Sequence, residues 1–299
     1  MVLAVGPVHA GWNLWSDLRE MLSYHFMVNA LLAGTVSAVL GGLVGWFMVV
    51  RRQSFAGHTL SVVAFPGAAG AAWLGISTRW GYFGLCAAAA VIIAAGSARA
   101  GSSRFSSESA LVGVVQAFAL AGGFLFVSLY GGFLNETQSL LFGTFLGVSN
   151  GQLATLMVFA LLVVGCLLAV GRRLLFASVD PAVASSQGIS DGWLNLVFLV
   201  ALGLTVAEVS QITGALLVFA LLVMPASAAQ RWTARPGLGI ALGVALAVIV
   251  VWVGLAISFY SPYPTGFWIT TVGFGVYVAS GARARGGHPV NRLPAGVLT

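Results

Sequence analysis

Long apolar runs separated by short polar loops dominate the pattern of this 299-residue chain. A bilayer whose hydrocarbon core is about 30 Å thick requires about 20 apolar residues per spanning helix, and the runs recur at about that length. They predict an all-α, polytopic transmembrane bundle of about nine spans, at residues 27–50, 58–77, 80–98, 109–130, 151–171, 193–211, 213–230, 237–259 and 264–281. The boundaries are soft by about four residues, so eight or ten spans also fit the pattern.

Two further segments are not expected to span the membrane. Residues 136–149 are too short for an untilted span, which predicts a re-entrant or interfacial helix on the outer side. Residues 1–26 predict a lead-in without the basic start of a cleavable signal peptide, with Trp12 and Trp15 suited to the headgroup layer. We therefore expect this lead-in, one transmembrane domain at residues 27–281 and a cytoplasmic tail at residues 282–299.

The composition supports a membrane protein and argues against nucleic acid as a partner. Hydrophobic residues make up 59% of the chain and charged residues 7%, which is too few for a soluble globule to cover its surface. The formal net charge of +6 comes from arginines that lie between apolar runs rather than on one solvated face. Cys86 and Cys166 lie inside apolar runs without CxxC spacing, which indicates neither a disulfide nor a thiolate metal site.

The arginines also predict the orientation of the chain. When the loop at residues 51–57 is placed in the cytoplasm and the spans alternate, only Arg19 and Arg79 fall outside. The arginines that then fall inside are Arg51, Arg52, Arg99, Arg104, Arg172, Arg173, Arg231, Arg235, Arg283, Arg285 and Arg292. The expected topology has the N-terminus outside and the C-terminus in the cytoplasm.

Few residues within the spans carry chemistry. Glu208 is the one acid inside a predicted span, and a charge in hydrocarbon marks a functional site by default, although a position near the outer end would leave it solvated. His58 begins the second span and is either a junction residue or part of a metal or polar path. Pro66 and Pro225 interrupt their helices, either beside a cavity or at a packed kink. The neighbouring polar residues that complete the candidate pathway are Ser61 and Gln211.

The cytoplasmic segment at residues 178–190 reads as a short isolated helix. Asp180 is a favourable N-cap, Pro181 suits the first helical position, and Gly188 can adopt the left-handed conformation that ends a helix. Such a compact helix between spans is either a docking element or an ordinary turn. The sequence contains no Walker-type loop, HExxH or GxSxG, so an ATPase or protease site is not expected in this chain.

Ordered motifs along most of the chain resemble the membrane subunit of bacterial zinc/manganese-type ABC importers. They are found at residues 25–34, 51–67, 141–143, 180–188 and 214–226. The resemblance implies a homodimeric permease in the bacterial cell membrane, paired with two ATPase subunits and fed by an extracytoplasmic metal-binding protein. ATP is then used by the partner subunits, and this chain binds no cofactor. The segment that would act as the coupling helix contains Asp180, Pro181, Ala184 and Gly188.

One departure from the family pattern concerns the metal ligands. The pattern resembles R-R-x-x-x-x-G-D-x-x-S-H-x-x-x-P-G, in which the Asp and His lie one helical turn apart and can ligate a divalent cation. Here His58 occupies the Asp position and Val62 the His position, so one donor suited to zinc remains and one is lost. We hypothesise that Glu208 supplies the missing charge.

These features favour a permease that moves zinc or manganese inward by alternating access. The loss of the Asp/His pair leaves open an ABC permease for a chelated or organic cargo, such as a metallophore. A non-transporting membrane scaffold or sensor is a third possibility, from a different class. An intramembrane enzyme is the least favoured, because no pair of catalytic residues at a known spacing occurs in the sequence.

Overall fold

The computed structural model describes residues 14–99, 104–130, 143 and 145–287. Within these segments the chain is helical throughout, with loops and one short 3₁₀ turn at Phe145–Gly147. The helices, in chain order, are α1 (Leu14–Ser23), α2 (His25–Val50), α3 (Ser54–Trp73), α4 (Thr78–Arg99), α5 (Arg104–Tyr130), α6 (Asn150–Val179), α7 (Pro181–Ser186), α8 (Asp191–Thr213), α9 (Ala215–Trp232), α10 (Pro236–Phe259) and α11 (Thr265–Gly287).

The long helices correspond one to one with the nine apolar runs, which confirms the all-helical class. Six of the described helices, α2, α4, α5, α6, α8 and α10, are long and apolar enough over most of their length to cross a membrane. The number of crossings stays a prediction, because α3, α9 and α11 do not meet the same standard within the described residues. Helix α11 continues to Gly287, six residues beyond the predicted end of its span.

The two segments outside the nine runs are only partly described. Helix α1 lies within the predicted lead-in, while residues 1–13 fall outside the described chain. The predicted re-entrant helix at residues 136–149 falls largely on residues that the structure does not describe. Its described end carries the 3₁₀ turn, where Phe145 and Val148 are buried, and Asn29 of α2 donates to the Val148 carbonyl at 3.2 Å.

Several arginine-bearing loops meet at one end of the bundle, which we call the arginine end. Arg51, just after α2, donates to Ser178 at the end of α6 at 3.2 Å. Gln230, near the end of α9, donates to the Trp46 carbonyl of α2 at 3.0 Å. Because α2, α6 and α9 all end here, the structure joins loops that the arginine count places in the cytoplasm.

Glycine allows the helices to approach closely, as small residues do in membrane bundles. A Cβ atom added to Gly45 of α2 would fall well inside van der Waals contact with the Leu222 carbonyl oxygen of α9. A Cβ added to Gly42 would lie 2.7 Å from the Cα of Val244 in α10. Helix α2 therefore packs against two neighbours through its backbone.

Replacing Gly45 with alanine is expected to destabilise the bundle by about 1–3 kcal/mol, because the backbone of α9 has to move to admit the methyl group. Thermal unfolding in detergent, followed by circular dichroism, measures this change. The matched control is Gly165→Ala in α6, where an added Cβ has no neighbour within 4 Å among the described residues. The control should be neutral or stabilising by up to about 1 kcal/mol. Equal unfolding temperatures for both variants would contradict the proposed close contact.

Candidate functional site

Helix α3 presents three faces to three different neighbours. Thr59 donates to the Gln116 side chain of α5 at 3.0 Å. The Cys86 thiol of α4 contacts the Leu60 carbonyl at 3.6 Å. The third face carries His58, whose ring centroid lies 4.9 Å from that of Phe219 in α9. Because residues four apart share a helix face, this third face also includes position 62.

The two positions where the family pattern has its ligands therefore share this third face of α3. His58 lies one turn from the start of the helix, and its Nδ1 is buried without a hydrogen-bond partner among the described residues. A buried ring nitrogen without a partner is unfavourable and is chemically able to bind a cation. Val62 offers only hydrocarbon one turn further along. The face thus provides one donor where the pattern has two.

Glu208 lies inside the bundle, near the opposite end of α8. Its side chain is 3% exposed, and Oε2 has no hydrogen-bond partner among the described residues. Arg79, at the start of α4, is near enough to interact with it electrostatically and donates to Thr155 of α6 at 3.1 Å. Burial argues against the solvated alternative for Glu208, and its part in a functional site stays a prediction.

His58 and Glu208 lie at different levels of the bundle. Helices α3 and α8 start from a common anchor, because Gln53 donates to Asn195 at 2.6 Å, and both run away from the arginine end. His58 is five residues beyond this anchor and Glu208 thirteen. At 1.5 Å per residue, the two differ in height by roughly 12 Å. Two ligands of one zinc ion each lie about 2 Å from the metal. The structure therefore does not bring His58 and Glu208 together around one ion.

The other candidate pathway residues make local contacts. The Ser61 hydroxyl, which is buried, donates to the His58 carbonyl at 2.6 Å on the same helix. The Gln211 side chain donates to the Ala207 carbonyl at 3.2 Å, also on its own helix. Neither side chain reaches another helix through these bonds, and their part in a pathway stays a prediction.

Both prolines lie within packed contacts. A Cβ added to Gly123 of α5 would meet the Pro66 ring at 3.1 Å, so Pro66 faces α5. Pro225 cannot donate to the Leu221 carbonyl, and that oxygen lies 3.6 Å from the place of a Cβ at Gly41 of α2. These contacts place both prolines in packed surroundings, and their part in a pathway remains a prediction.

Helix α7 has the caps that the sequence predicts. The Asp180 carboxylate accepts a bond from the Val183 amide at 3.0 Å, Pro181 is the first helical residue, and Gly188 has φ +76°. The helix is mostly exposed, but Ala184 is 1% exposed. Ala184 therefore seats the helix on the bundle, and the surface available to a partner lies on the other side.

Arg51 is the residue whose role the sequence did not reveal. The sequence identifies Arg51 only as a positive charge in a loop, yet its side chain is 8% exposed and lies in a polar network. Its partners are Gln53, Ser178, Asp191 and Asn195. The one sign of this network in the sequence is that polar residues occur at the ends of three separate apolar runs. The sequence does not show which of these polar residues pair with each other. Among the described residues, no three His, Cys, Asp or Glu side chains are grouped to hold a metal ion.

One family model and several known proteins match this chain. The model of the ABC 3 transport family matches residues 23–284. The chelated iron transport system membrane protein YfeC of Yersinia pestis is 28% identical over 257 residues, covering 85% of each chain. The manganese transport system membrane protein MntC of Listeria monocytogenes is 25% identical over 242 residues, or 81% of this chain and 85% of that protein.

Two further comparisons extend this picture. The high-affinity zinc uptake system membrane protein ZnuB of Haemophilus influenzae is 25% identical over 257 residues, or 86% of this chain and 94% of that protein. Among solved structures, PsaBC from Streptococcus pneumoniae in complex with Fab matches with a TM-score of 0.77 and 24% identity. That match covers 90% of this chain and 95% of the other, and it supports the fold.

Proposed function

Because the chain belongs to the ABC 3 transport family, we propose that it is the membrane-spanning permease of an ATP-driven importer for divalent metal ions, zinc or manganese. The family match over residues 23–284 carries this proposal. Relatives named for manganese and zinc transport over more than four fifths of this chain support the choice of cargo.

The proposed assembly is a homodimer in the bacterial cell membrane, with its C-terminus in the cytoplasm. Separate ATPase subunits bind and hydrolyse ATP, and an extracytoplasmic protein delivers the metal. Helix α7 suits a coupling helix, because its caps and the buried Ala184 hold an exposed surface at the arginine end. ATP-driven alternation of access then moves the ion inward, with no bond of the cargo changed.

Within the bundle, His58 and Glu208 are the proposed contacts of the passing ion. Their difference in height makes them successive contacts rather than one site. Single ligands at separate levels hold a cation weakly, and transport requires sites weak enough to release the ion. The valine at position 62 weakens the inner contact further than in the family pattern.

Reconstitution in lipid vesicles tests the proposal. The chain is combined with the ATPase and the metal-binding protein of the same transport system, and uptake of zinc and manganese is measured with and without ATP. We expect ATP-dependent uptake of one of these ions, together with ATPase activity that rises when the loaded binding protein is added. ATPase activity indifferent to that protein, with no uptake, would favour the scaffold or sensor alternative.

A second candidate function is an ABC permease for chelated metal. Val62 supports it, because a cargo that keeps its own ligands needs fewer donors from the protein. The similarity to a protein named for chelated iron transport points the same way. The same vesicles distinguish the two candidates when each metal is offered free and bound to a chelator. If the chelated metal is taken up faster than the free ion, the chelate becomes the proposed cargo.

A further inference from the structure

Arg51 joins the two chain segments that flank helix α7. Ser178 lies just before α7, at the end of α6, and its hydroxyl accepts a bond from Arg51 Nη1 at 3.2 Å. Asp191 lies just after α7, at the start of α8, and its carboxylate is 3.6 Å from Arg51 Nη2. The same Nη2 donates to Asn195 at 3.1 Å. One guanidinium therefore holds the entry and the exit of the segment that carries α7.

Neighbouring groups hold the guanidinium of Arg51 in one position. Its side chain is 8% exposed, and its carbon lies 5.6 Å from the centre of the Phe198 ring. A guanidinium is planar and directs its donors in a fixed fork, so it sets the relative positions of several acceptors at once. A flexible ammonium group lacks this property. The contacts of Arg51 therefore restrict how α6 and α8 can move relative to each other.

The same network reaches the start of α3. Arg51 Nε donates to the Gln53 side chain at 3.3 Å, and Gln53 donates to Asn195 at 2.6 Å. Gln53 directly precedes α3, and His58 lies one turn into that helix. A shift of the segment around α7 thus changes contacts that hold the first turn of the helix that carries His58.

The network has room to rearrange. A cavity of about 380 Å³ adjoins it at the arginine end. Its wall includes Arg51, Gln53, Ser178, Pro181, Asp191 and Asn195. Polar groups beside such a space can exchange partners without a steric clash, whereas the apolar helix contacts deeper in the bundle are close-packed.

We propose that Arg51 is a positioning residue that transmits movement of helix α7 to the start of α3, and so links ATP use to opening of the pathway. The proposal rests on the proposed function of the chain as an ABC permease. It assigns Arg51 a role in coupling, which differs from binding the cargo and from binding the ATPase.

The test compares Arg51→Gln with Arg52→Gln in the reconstituted assembly. Both variants remove one positive charge from the same loop, but Arg52 is exposed. Two rates are measured, ATP hydrolysis stimulated by the loaded binding protein and metal uptake. We expect Arg51→Gln to retain stimulated hydrolysis and to lower the metal transported per ATP by about fivefold or more. Arg52→Gln should stay within about twofold of the unmodified protein.

A conservative variant separates geometry from charge. Arg51→Lys keeps the positive charge and the attraction to Asp191, but it cannot hold Ser178 and Asn195 in one fixed fork. We expect it to recover less than about half of the lost coupling. Full recovery by lysine would overturn the proposal, because charge alone would then suffice.

A spin-label distance provides a readout that does not depend on activity. Labels at Phe55 on α3 and Leu238 on α10, both exposed, in a background without Cys86 and Cys166, report how the start of α3 moves relative to α10. Addition of ATP should shift this distance in the unmodified assembly, and Arg51→Gln should remove or broaden the shift. Loss of uptake and hydrolysis in parallel, with the shift intact, would overturn the coupling role. Failure of the unmodified assembly to transport any cargo would overturn the proposed function together with this inference.

Discussion

Replacing Val183 with aspartate is expected to lower ATP-driven uptake by at least about tenfold while the bundle stays folded. Val183 is a valine on the short helix α7 with 41% of its surface exposed at the arginine end. An exposed apolar side chain on a rigid, capped helix is suited to a partner's pocket. A carboxylate there would be buried without a counter-ion when the ATPase docks. Uptake and stimulated ATP hydrolysis should therefore fall together, unlike the uncoupling expected at Arg51.

The matched control for this substitution is Leu238→Asp. Leu238 is 55% exposed and lies in the first turn of α10, at the same end of the bundle. An acid is tolerated in the first turn of a helix, so this change should alter uptake by less than about threefold. Thermal unfolding of both variants shows whether the fold is preserved. Equal effects of the two substitutions would contradict a specific docking role for α7.

Substituting His58 and Glu208 is expected to lower metal uptake in two independent steps. His58→Ala removes an imidazole near the arginine end, and Glu208→Gln removes a charge from a side chain of nearly the same shape deeper in the bundle. We expect each change to reduce uptake by about tenfold, as loss of one contact to a charged group does. Since residues more than about 7–10 Å apart act independently, the double variant should show the product of the two effects.

The control for the pair is Thr205→Val in α8. Thr205 is fully buried one turn from Glu208, and its hydroxyl donates to the Ala201 carbonyl of its own helix at 2.8 Å. Its replacement should change uptake by less than about threefold. Uptake is measured with zinc and with manganese at several concentrations. Unchanged uptake in the double variant would exclude both residues from the pathway, and a double variant no worse than each single one would indicate one shared site.

The sequence by itself determined the features that depend on local interactions. The apolar run at residues 237–259 matches α10 (Pro236–Phe259) to within one residue, because helix length follows from the hydrocarbon thickness and from the residues in the run. The caps of α7 are equally local. Asp180 and Gly188 act on backbone groups within a few residues, so their types and spacing are sufficient to predict both ends of the helix.

The role of Arg51 is a matter of tertiary structure. Its partners Ser178 and Asn195 lie 127 and 144 residues away in the chain. No local rule connects such positions, because the pairing depends on which helix ends meet at one end of the bundle. From the sequence, an arginine in a short loop is predicted to face water and to report topology. Packing instead buries the side chain of Arg51, where it contacts other helix ends rather than water.

Tertiary structure also decides the difference in height between His58 and Glu208. The sequence shows one imidazole and one carboxylate in two apolar runs, and it leaves their relative height open. That height depends on the register between α3 and α8, which the bond from Gln53 to Asn195 fixes at the arginine end. Hydrophobic runs determine that a helix lies in the membrane, since burial of apolar surface has no direction. Specific contacts between helices, both polar bonds and close packing at small residues, decide which residues stand at the same level.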